Sequence, residues 1–426
     1  MPFHLFGLPL SASHNGSVAE LGLAVEAYLG ARADVSTRLQ GITSRDPRNL
    51  MARCMMAYLC KLTGDPVNVK KAEVAARMLA GDVSATSATP WEQAHAVALG
   101  LWVSGELDRT MDQFEAMLKR YPTDVLSLRM LHYLYFYAGD ARRMRDSVAR
   151  KLRYYDAEHP CSAFVRGMLA FGLEEAGSYR AAEKFARDAI DENPADLWAA
   201  HAMVHVLEME GRHQEGVTWI DSLRRHWHGT NNFRYHLDWH QALFHLAADQ
   251  TEEALALYDE VIGPSVADDF YLDMANAASL LLRLQASGCP VGDRWLSLAA
   301  LAERHVEDAE LVFASLHYLI PLLAVGSDST RSLLANMQRW AESATTQGEV
   351  AAHVGREAAR FLVVASEGDA TNALATFEAI RYRLFRIGGS RAQRELFGIL
   401  ARDLALRHGQ VDWVQDFDAA RAVARV

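Results

Sequence analysis

The sequence predicts an all-α fold assembled from repeated helix pairs, and three observations predict it. Apolar residues recur at three- and four-residue spacing in segments such as AAEKFARDAIDE and TEEALALYDEVI, which is the period of one helix face. No run of alternating β-branched residues interrupts that pattern. Turn signals fall every 12 to 20 residues, the length of an ordinary helix plus a short connection.

Taken in order, the turns repeat. A first weak unit turns at Gly64, and a connection follows at 81–90 (GDVSATSATP). Paired helices then turn at Gly105, Gly139, Gly177 and Gly211, with an equivalent turn at Asp249, spaced 34, 38, 34 and 38 residues apart. Prolines that stop the second helix of a pair stand at Pro122, Pro160 and Pro194. The unit from Gly177 to Asp196 carries small Ala182, Ala186 and Ala189 where two helices approach closely. A helix-turn-helix period of about 34 residues is that of a tetratricopeptide repeat, so the predicted architecture is an α-solenoid, a right-handed superhelix curled around a concave pocket. Further connections are expected at 226–234, 262–269 and 343–350, and a late unit turns at Gly368 before Ala373, Phe377 and Ile380. None of these connections is long or polar enough to separate domains. The expectation is one helical-repeat domain over 1–426, regular over 91–262, irregular over 263–345, and closed by repeats or a cap over 346–426.

Composition narrows the function. Half of the 426 residues are hydrophobic and 23% are charged, which excludes disordered and low-complexity classes. A net charge of -11 argues against nucleic acid as a partner, because phosphate binding needs a basic face. Cys54, Cys60, Cys161 and Cys289 are too scattered for a disulfide framework or a thiolate zinc knot. The N-terminal segment lacks a basic leader region and no apolar run is long enough for a membrane span, so a soluble, cytoplasmic protein is expected.

Several segments resemble the tetratricopeptide repeat protein 38 family: MRDSVAR (144–150), FGLEEAG (171–177), NPADLWAAHAMVHVLEMEG (193–211), WHQAL (239–243), LYDEVIGPS (257–265), LLRLQASGCPVGDRW (281–295) and IRYRLFRIGGSRAQRELF (380–397). The resemblance runs in order over nearly the whole chain. It implies a solenoid of these repeats, in a family found in bacteria and eukaryotes, and transfers no activity.

The first helix of each pair is expected to line the concave face, where residues ten, six and three positions before the turn share a stripe. These are His95, Leu99 and Trp102; Arg129, Tyr133 and Phe136, with Tyr137 alongside; Gly167, Phe171 and Glu174; His201, His205 and Glu208; and Trp239, Leu243 and Leu246, with His236 one turn earlier. The fourth set draws the eye. Two imidazoles four residues apart on a helix can chelate a divalent metal, with Glu208 completing or orienting the site, although the pattern is neither HExxH nor the ExxH of di-iron bundles. The next helix adds His236, Asp238 and His240. Without metal, His205 and Glu208 would form an oriented general base, with His236 or His240 as acid. Arg129, Tyr133, Tyr137, Phe171 and Trp239 would form the walls around a ligand.

Plainer roles stand beside these. His132 and His317 on apolar helices read as satisfied core residues, and His226 and His228 as solvated loop residues. No glycine-rich phosphate loop is present: Gly388 and Gly389 are expected to end a helix and Ser390 to cap the next. The basic run 141–153 reads as a solvated face, and Asp268, Asp269 and Asp273 as helix-dipole partners. The expected function is a pocket that binds a small molecule or short peptide, with no nucleic acid and no membrane. The alternative is a hydrolase or lyase using the same cluster. Metal occupancy and a homo-dimer are left open.

Overall fold

The chain opens on an element that helical periodicity does not announce. In a computed structural model that describes residues 3–13, 15–85 and 87–423, strands β1 (Phe3–Leu5) and β2 (Leu8–Leu10) pair antiparallel. Phe6 and Gly7 make the turn with φ of 50° and 83°, the two positive values of a tight hairpin. Leu5, Leu8 and Leu10 are buried. Three residues per strand are too few for a period of two to register in sequence.

Every other long element is helical. The first half holds α1 (Asn15–Leu29), α2 (Val35–Arg45), α3 (Leu50–Leu62), α4 (Pro66–Ala85), α5 (Pro90–Val103), α6 (Leu107–Arg120), α7 (Val125–Tyr137), α8 (Ala141–Lys151), α9 (Ser162–Glu175) and α10 (Tyr179–Glu192). The second continues with α11 (Leu197–Met209), α12 (His213–Leu223), α13 (Phe233–Ala247), α14 (Thr251–Leu257), the single turn α15 (Gly263–Ser265), α16 (Tyr271–Ala286), α17 (Arg294–Ala302) and α18 (Val312–Val325). It ends with α19 (Ser329–Trp340), α20 (Thr346–Val350), α21 (Arg356–Ser366), α22 (Ala370–Ile380), α23 (Arg391–Arg407) and α24 (Val411–Val423). The fold is an all-α helical repeat of the solenoid class.

The repeat is written in its turns. Gly105, Gly139, Gly177, Gly211 and Asp249 all have positive φ, from 59° to 80°. After each, the next amide reaches back five residues: Glu106 to the Leu101 carbonyl, Asp140 to Tyr135, Ser178 to Leu173, Arg212 to Leu207 and Gln250 to His245, at 2.8–3.1 Å. That bond satisfies a carbonyl the helix end would otherwise leave open, and it requires a left-handed residue at the turn. Two helix starts are capped by a buried aspartate. Asp124 accepts the Ser127 amide of α7 at 3.0 Å, and Asp196 accepts the Trp198 and Ala199 amides of α11 at 2.9 and 3.2 Å. Ala182, Ala186 and Ala189 are fully buried, as the close approach of α10 to α9 demands.

The helices gather into two compact units: Met1–Phe136, Asp140–Met203 and Leu223–Arg234 form one, and Tyr137–Gly139, Val204–Ser222 and Tyr235–Val426 the other. We call them the first and second units. The division passes within α11 and within α13.

The four expected connections are more ordered than composition suggests. The first half of 81–90 continues α4, and 262–269 stays helical through α15 into a short 3-10 turn. The 226–234 loop is pinned to the end of α1: Arg32 pairs with Thr230 in a β-bridge and donates to the His228 carbonyl at 2.7 Å. Backbone bonds along such segments are invisible to composition. The 343–350 connection contains α20, capped by Thr345.

The acidic residues near 269 also change role. Asp269 lies outside α16 with φ of 54° and accepts from His305 Nε2 at 2.8 Å, while Asp308 accepts from His305 Nδ1 at 2.7 Å. Burial opposes a charged imidazole here, but the two carboxylates outweigh it and hold the His305 pKa above its ordinary value. A raised histidine pKa contributes stability that is complete below the unfolded value, near 6.5, and fades as pH rises through the folded one. His305→Gln should therefore cost more stability in urea unfolding at about pH 6 than at about pH 9. An equal cost at both would mean the imidazole is neutral throughout.

Candidate functional site

The second unit carries a cluster of buried polar side chains, built from three helices. α11 supplies His205 and, three residues on, Glu208. α13 supplies His236, Trp239 and His240, where four-residue spacing sets the two imidazoles one turn apart. α16 is buried along most of its length, yet Asn276, Ser279 and Arg283 stand three and four residues apart on it and form a polar stripe.

The imidazoles are packed together and oriented. His205 and His240 have ring centroids 4.6 Å apart, and His236 and His240 4.8 Å, both edge to face. His240 Nδ1 donates to Glu208 Oε2 at 2.8 Å, and His236 Nδ1 donates to Asn276 Oδ1 at 2.9 Å. The Trp239 ring stacks on His236 at 5.1 Å with the planes 12° apart. Burial pushes the His205 and His236 pKa values well below the ordinary range and that of His240 down to about 3. The Arg283 charge lowers His240 further. All three rings are therefore neutral at physiological pH.

Arg283 is the charge at the centre of this unit. Its side chain is 8% exposed, with Nε donating to Ser279 Oγ at 3.2 Å and a terminal nitrogen donating to the Ala392 carbonyl at 2.7 Å. It makes no ion pair within 4 Å among the described residues; Glu395 and Glu208 are the carboxylates that act on it from further away. The guanidinium carbon lies 5.8 Å from the Trp239 ring centre. Two further donors are buried in this unit: among the described residues, Trp239 Nε1 and Asn276 Nδ2 have no acceptor within hydrogen-bonding distance. Buried donors normally find partners, so the two are exceptions.

The first unit holds the remaining expected residues. Arg129 is buried, 3.9 Å from the Trp198 ring centre and 4.5 Å from that of Tyr133, and donates to Tyr133 Oη at 3.2 Å. Trp198 stacks in turn on Phe233 at 3.7 Å. Phe171 packs against His201, with centroids 5.2 Å apart, and His201 meets Phe233 edge to face at 5.0 Å. Asp196 is pushed up to about 7 by burial, against its two backbone bonds and the charge of Arg129. Arg129 thus makes cation–π contacts with two rings, Tyr133 and Trp198, which meet each other edge to face at 5.6 Å.

The expected residues are divided in sequence between the two units. His205, Glu208, His236, Trp239 and His240 come together in the second unit, where Tyr137 bonds Tyr271 Oη at 2.6 Å. Arg129, Tyr133, Phe171 and His201 belong to the first, with His201 one turn before His205 on α11. His132 and His317 are core residues as expected, donating to the carbonyls of Met168 and Phe313 at 3.0 and 2.7 Å. Ser390 caps α23 as expected, in a reciprocal capping box with Gln393. A surface groove of about 600 Å³ between α4 and α5, lined by Ala76, Ala80, Val97 and Gly100, contains none of the expected site residues.

Sequence reasoning missed Asn276 and Arg283. A signal was available: polar residues at three- and four-residue spacing in an otherwise apolar helix mark an inward polar stripe. It lay in the stretch read as irregular, outside the register that the turn glycines define.

No family model matches the chain. Among solved structures it is similar to the Rap protein complexed with competence and sporulation factor, at 11% identity and a TM-score of 0.41 over 85% of this chain and 99% of that one. It is also similar to Naa15/Naa10 bound to HypK-THB, at 14% and 0.27 over 96% of this chain and 63% of that one. The P58(IPK) TPR domain is similar at 15% and 0.21, over 82% and 98%. Likenesses this distant transfer neither ligand nor activity. Among the described residues no helix is long and apolar enough to cross a membrane.

Proposed function

We propose that this helical-repeat protein binds a small molecule, or the end of a short peptide, through a carboxylate or similar acceptor at the polar cluster of the second unit. We further propose that it is a member of the tetratricopeptide repeat protein 38 family, on the strength of the ordered segment matches alone. The observation that carries the ligand reading is Arg283, a buried guanidinium with no ion-pair partner among the described residues, in the same unit as the buried donors Trp239 Nε1 and Asn276 Nδ2. A buried cation without an anion is costly, and an anionic ligand would offset that cost. The neutral imidazoles and the Trp239 ring supply the apolar and hydrogen-bonding walls around such a group. A second reading, hydrolase or lyase chemistry, draws on the Glu208–His240 pair, in which a carboxylate sets the imidazole tautomer as acid–base sites require.

The test is calorimetric titration with a panel of small carboxylates and short peptides, on wild type, Arg283→Gln and Trp239→Phe. Arg283→Gln should weaken binding about 10- to 100-fold, the worth of a hydrogen-bonded charge, and Trp239→Phe by a smaller factor because the ring stays. Unfolding of the same proteins shows whether each variant is intact. Equal binding by folded variants and wild type, or no binding across the panel, overturns the reading.

A further inference from the structure

We propose that His205, His236 and His240 together hold one divalent transition-metal ion, with Glu208 and Asn276 as outer-sphere partners. The inference rests on the ligand site proposed for this unit and gives that site a cofactor. Its ligand set differs from the one the helical stripe of α11 suggests, because α13 supplies two of the three nitrogens and Glu208 moves out of the coordination sphere.

Geometry carries it. Each of the three residues offers a ring nitrogen, and these nitrogens lie within 4.8 Å of one another. Three imidazoles around one ion, at metal–nitrogen distances of about 2.0–2.1 Å, have ring centroids roughly 5 Å apart. The observed separations from His240, 4.6 Å to His205 and 4.8 Å to His236, are close to that arrangement. Two rings are also held in the tautomer a metal needs. His240 spends its Nδ1 proton on Glu208 at 2.8 Å and His236 spends its own on Asn276 at 2.9 Å, which leaves the lone pair of each on Nε2. A ligand histidine tied through its other nitrogen to a carboxylate or carbonyl oxygen is the usual support of a protein metal site.

The chemistry agrees. Nitrogen-only donors select zinc, cobalt, nickel, copper or iron over magnesium and calcium. Glu208, bonded to His240 at 2.8 Å, supplies negative charge beside the ion.

The experiment uses full-length, tag-free protein stripped with chelator and titrated with cobalt(II). Wild type should take up about one equivalent and develop the visible absorption of a four-coordinate cobalt site with nitrogen donors. His236→Asn and His240→Asn should each weaken uptake at least about 100-fold, and Glu208→Gln about 10- to 100-fold with the absorption retained. Circular dichroism and a cooperative melt establish that each variant is folded. Folded wild type that takes up less than roughly a tenth of an equivalent overturns the proposal, whatever the variants do. Folded histidine variants that bind cobalt as wild type does overturn the ligand assignment. Repeating the carboxylate titration on stripped protein separates this inference from the one it rests on. Carboxylate binding without cobalt uptake leaves the ligand site standing and removes the metal; cobalt uptake without carboxylate binding does the reverse.

Discussion

Asp124→Ala is expected to lower the unfolding free energy by about 3–5 kcal/mol, the cost of removing one member of a buried, charged hydrogen-bond network. One carboxylate serves four donors. Oδ2 accepts from Trp91 Nε1 at 2.8 Å, His95 Nε2 at 3.1 Å and Ser127 Oγ at 2.5 Å, and Oδ1 accepts the Ser127 amide at 3.0 Å. Trp91, His95, Asp124 and Ser127 are all buried, so water cannot replace the lost acceptor. Burial pushes the Asp124 pKa up, but His95 and the Ser127 bonds outweigh it and hold the carboxyl below its ordinary value. A depressed carboxylate pKa contributes stability that is present above the unfolded value, near 3.8, and lost as pH falls through the folded one. The deficit of Asp124→Ala should therefore shrink in acid. Urea unfolding of wild type, Asp124→Ala and Asp124→Asn at neutral and acid pH checks this, with Asn, which keeps the helix cap, losing less. A loss under about 1 kcal/mol for Asp124→Ala would mean that the network contributes little more than one ordinary hydrogen bond.

Gly139→Ala should rank next, at roughly 3 kcal/mol, from left-handed strain together with overlap against fixed backbone. Gly139 has φ of 69°, and a Cβ there would stand 2.2 Å from the Phe385 carbonyl oxygen and 2.8 Å from its carbon. Neither atom belongs to a side chain that can swing away. The informative comparison is Gly177→Ala, at the equivalent turn of the next repeat. Its φ is 80°, and nothing lies within 4 Å of the position a Cβ would occupy. That variant should cost only about 1–2 kcal/mol, the strain alone. Thermal and denaturant unfolding of both proteins separates the terms. Equal losses would show that the approach of residues 137–139 to the segment after α22 carries no energetic weight.

These two turns also show how far the sequence could be read. Gly139 and Gly177 mark the same local event, a helix pair closed by a left-handed residue, and their spacing announces it. Only the fold distinguishes them, because one turn meets a carbonyl from residue 385 and the other meets nothing. The same division runs through the candidate site. His205, Glu208, His236 and His240 were legible because each lies in a helical stripe set by short spacings. The role of Glu208 was not, since its partner His240 is 32 residues away on another helix. Asn276 and Arg283 escaped because α16 follows the interval where the repeat loses its register. The π-helical turn at Tyr258–Ile262 and the short α15 shift the phase there.

The sequence by itself determined the helices, their pairing and their turns, because a 3.6-residue period, a capping aspartate and a left-handed glycine act within a few residues of one another. The tertiary structure alone decided which imidazoles pack together, which carboxylate one of them is bonded to, and that a guanidinium is buried in the same unit without an ion pair among the described residues. Those outcomes depend on how helices far apart in the chain pack, and burial by that packing is what turns ordinary side chains into neutral rings and a charge in need of a partner.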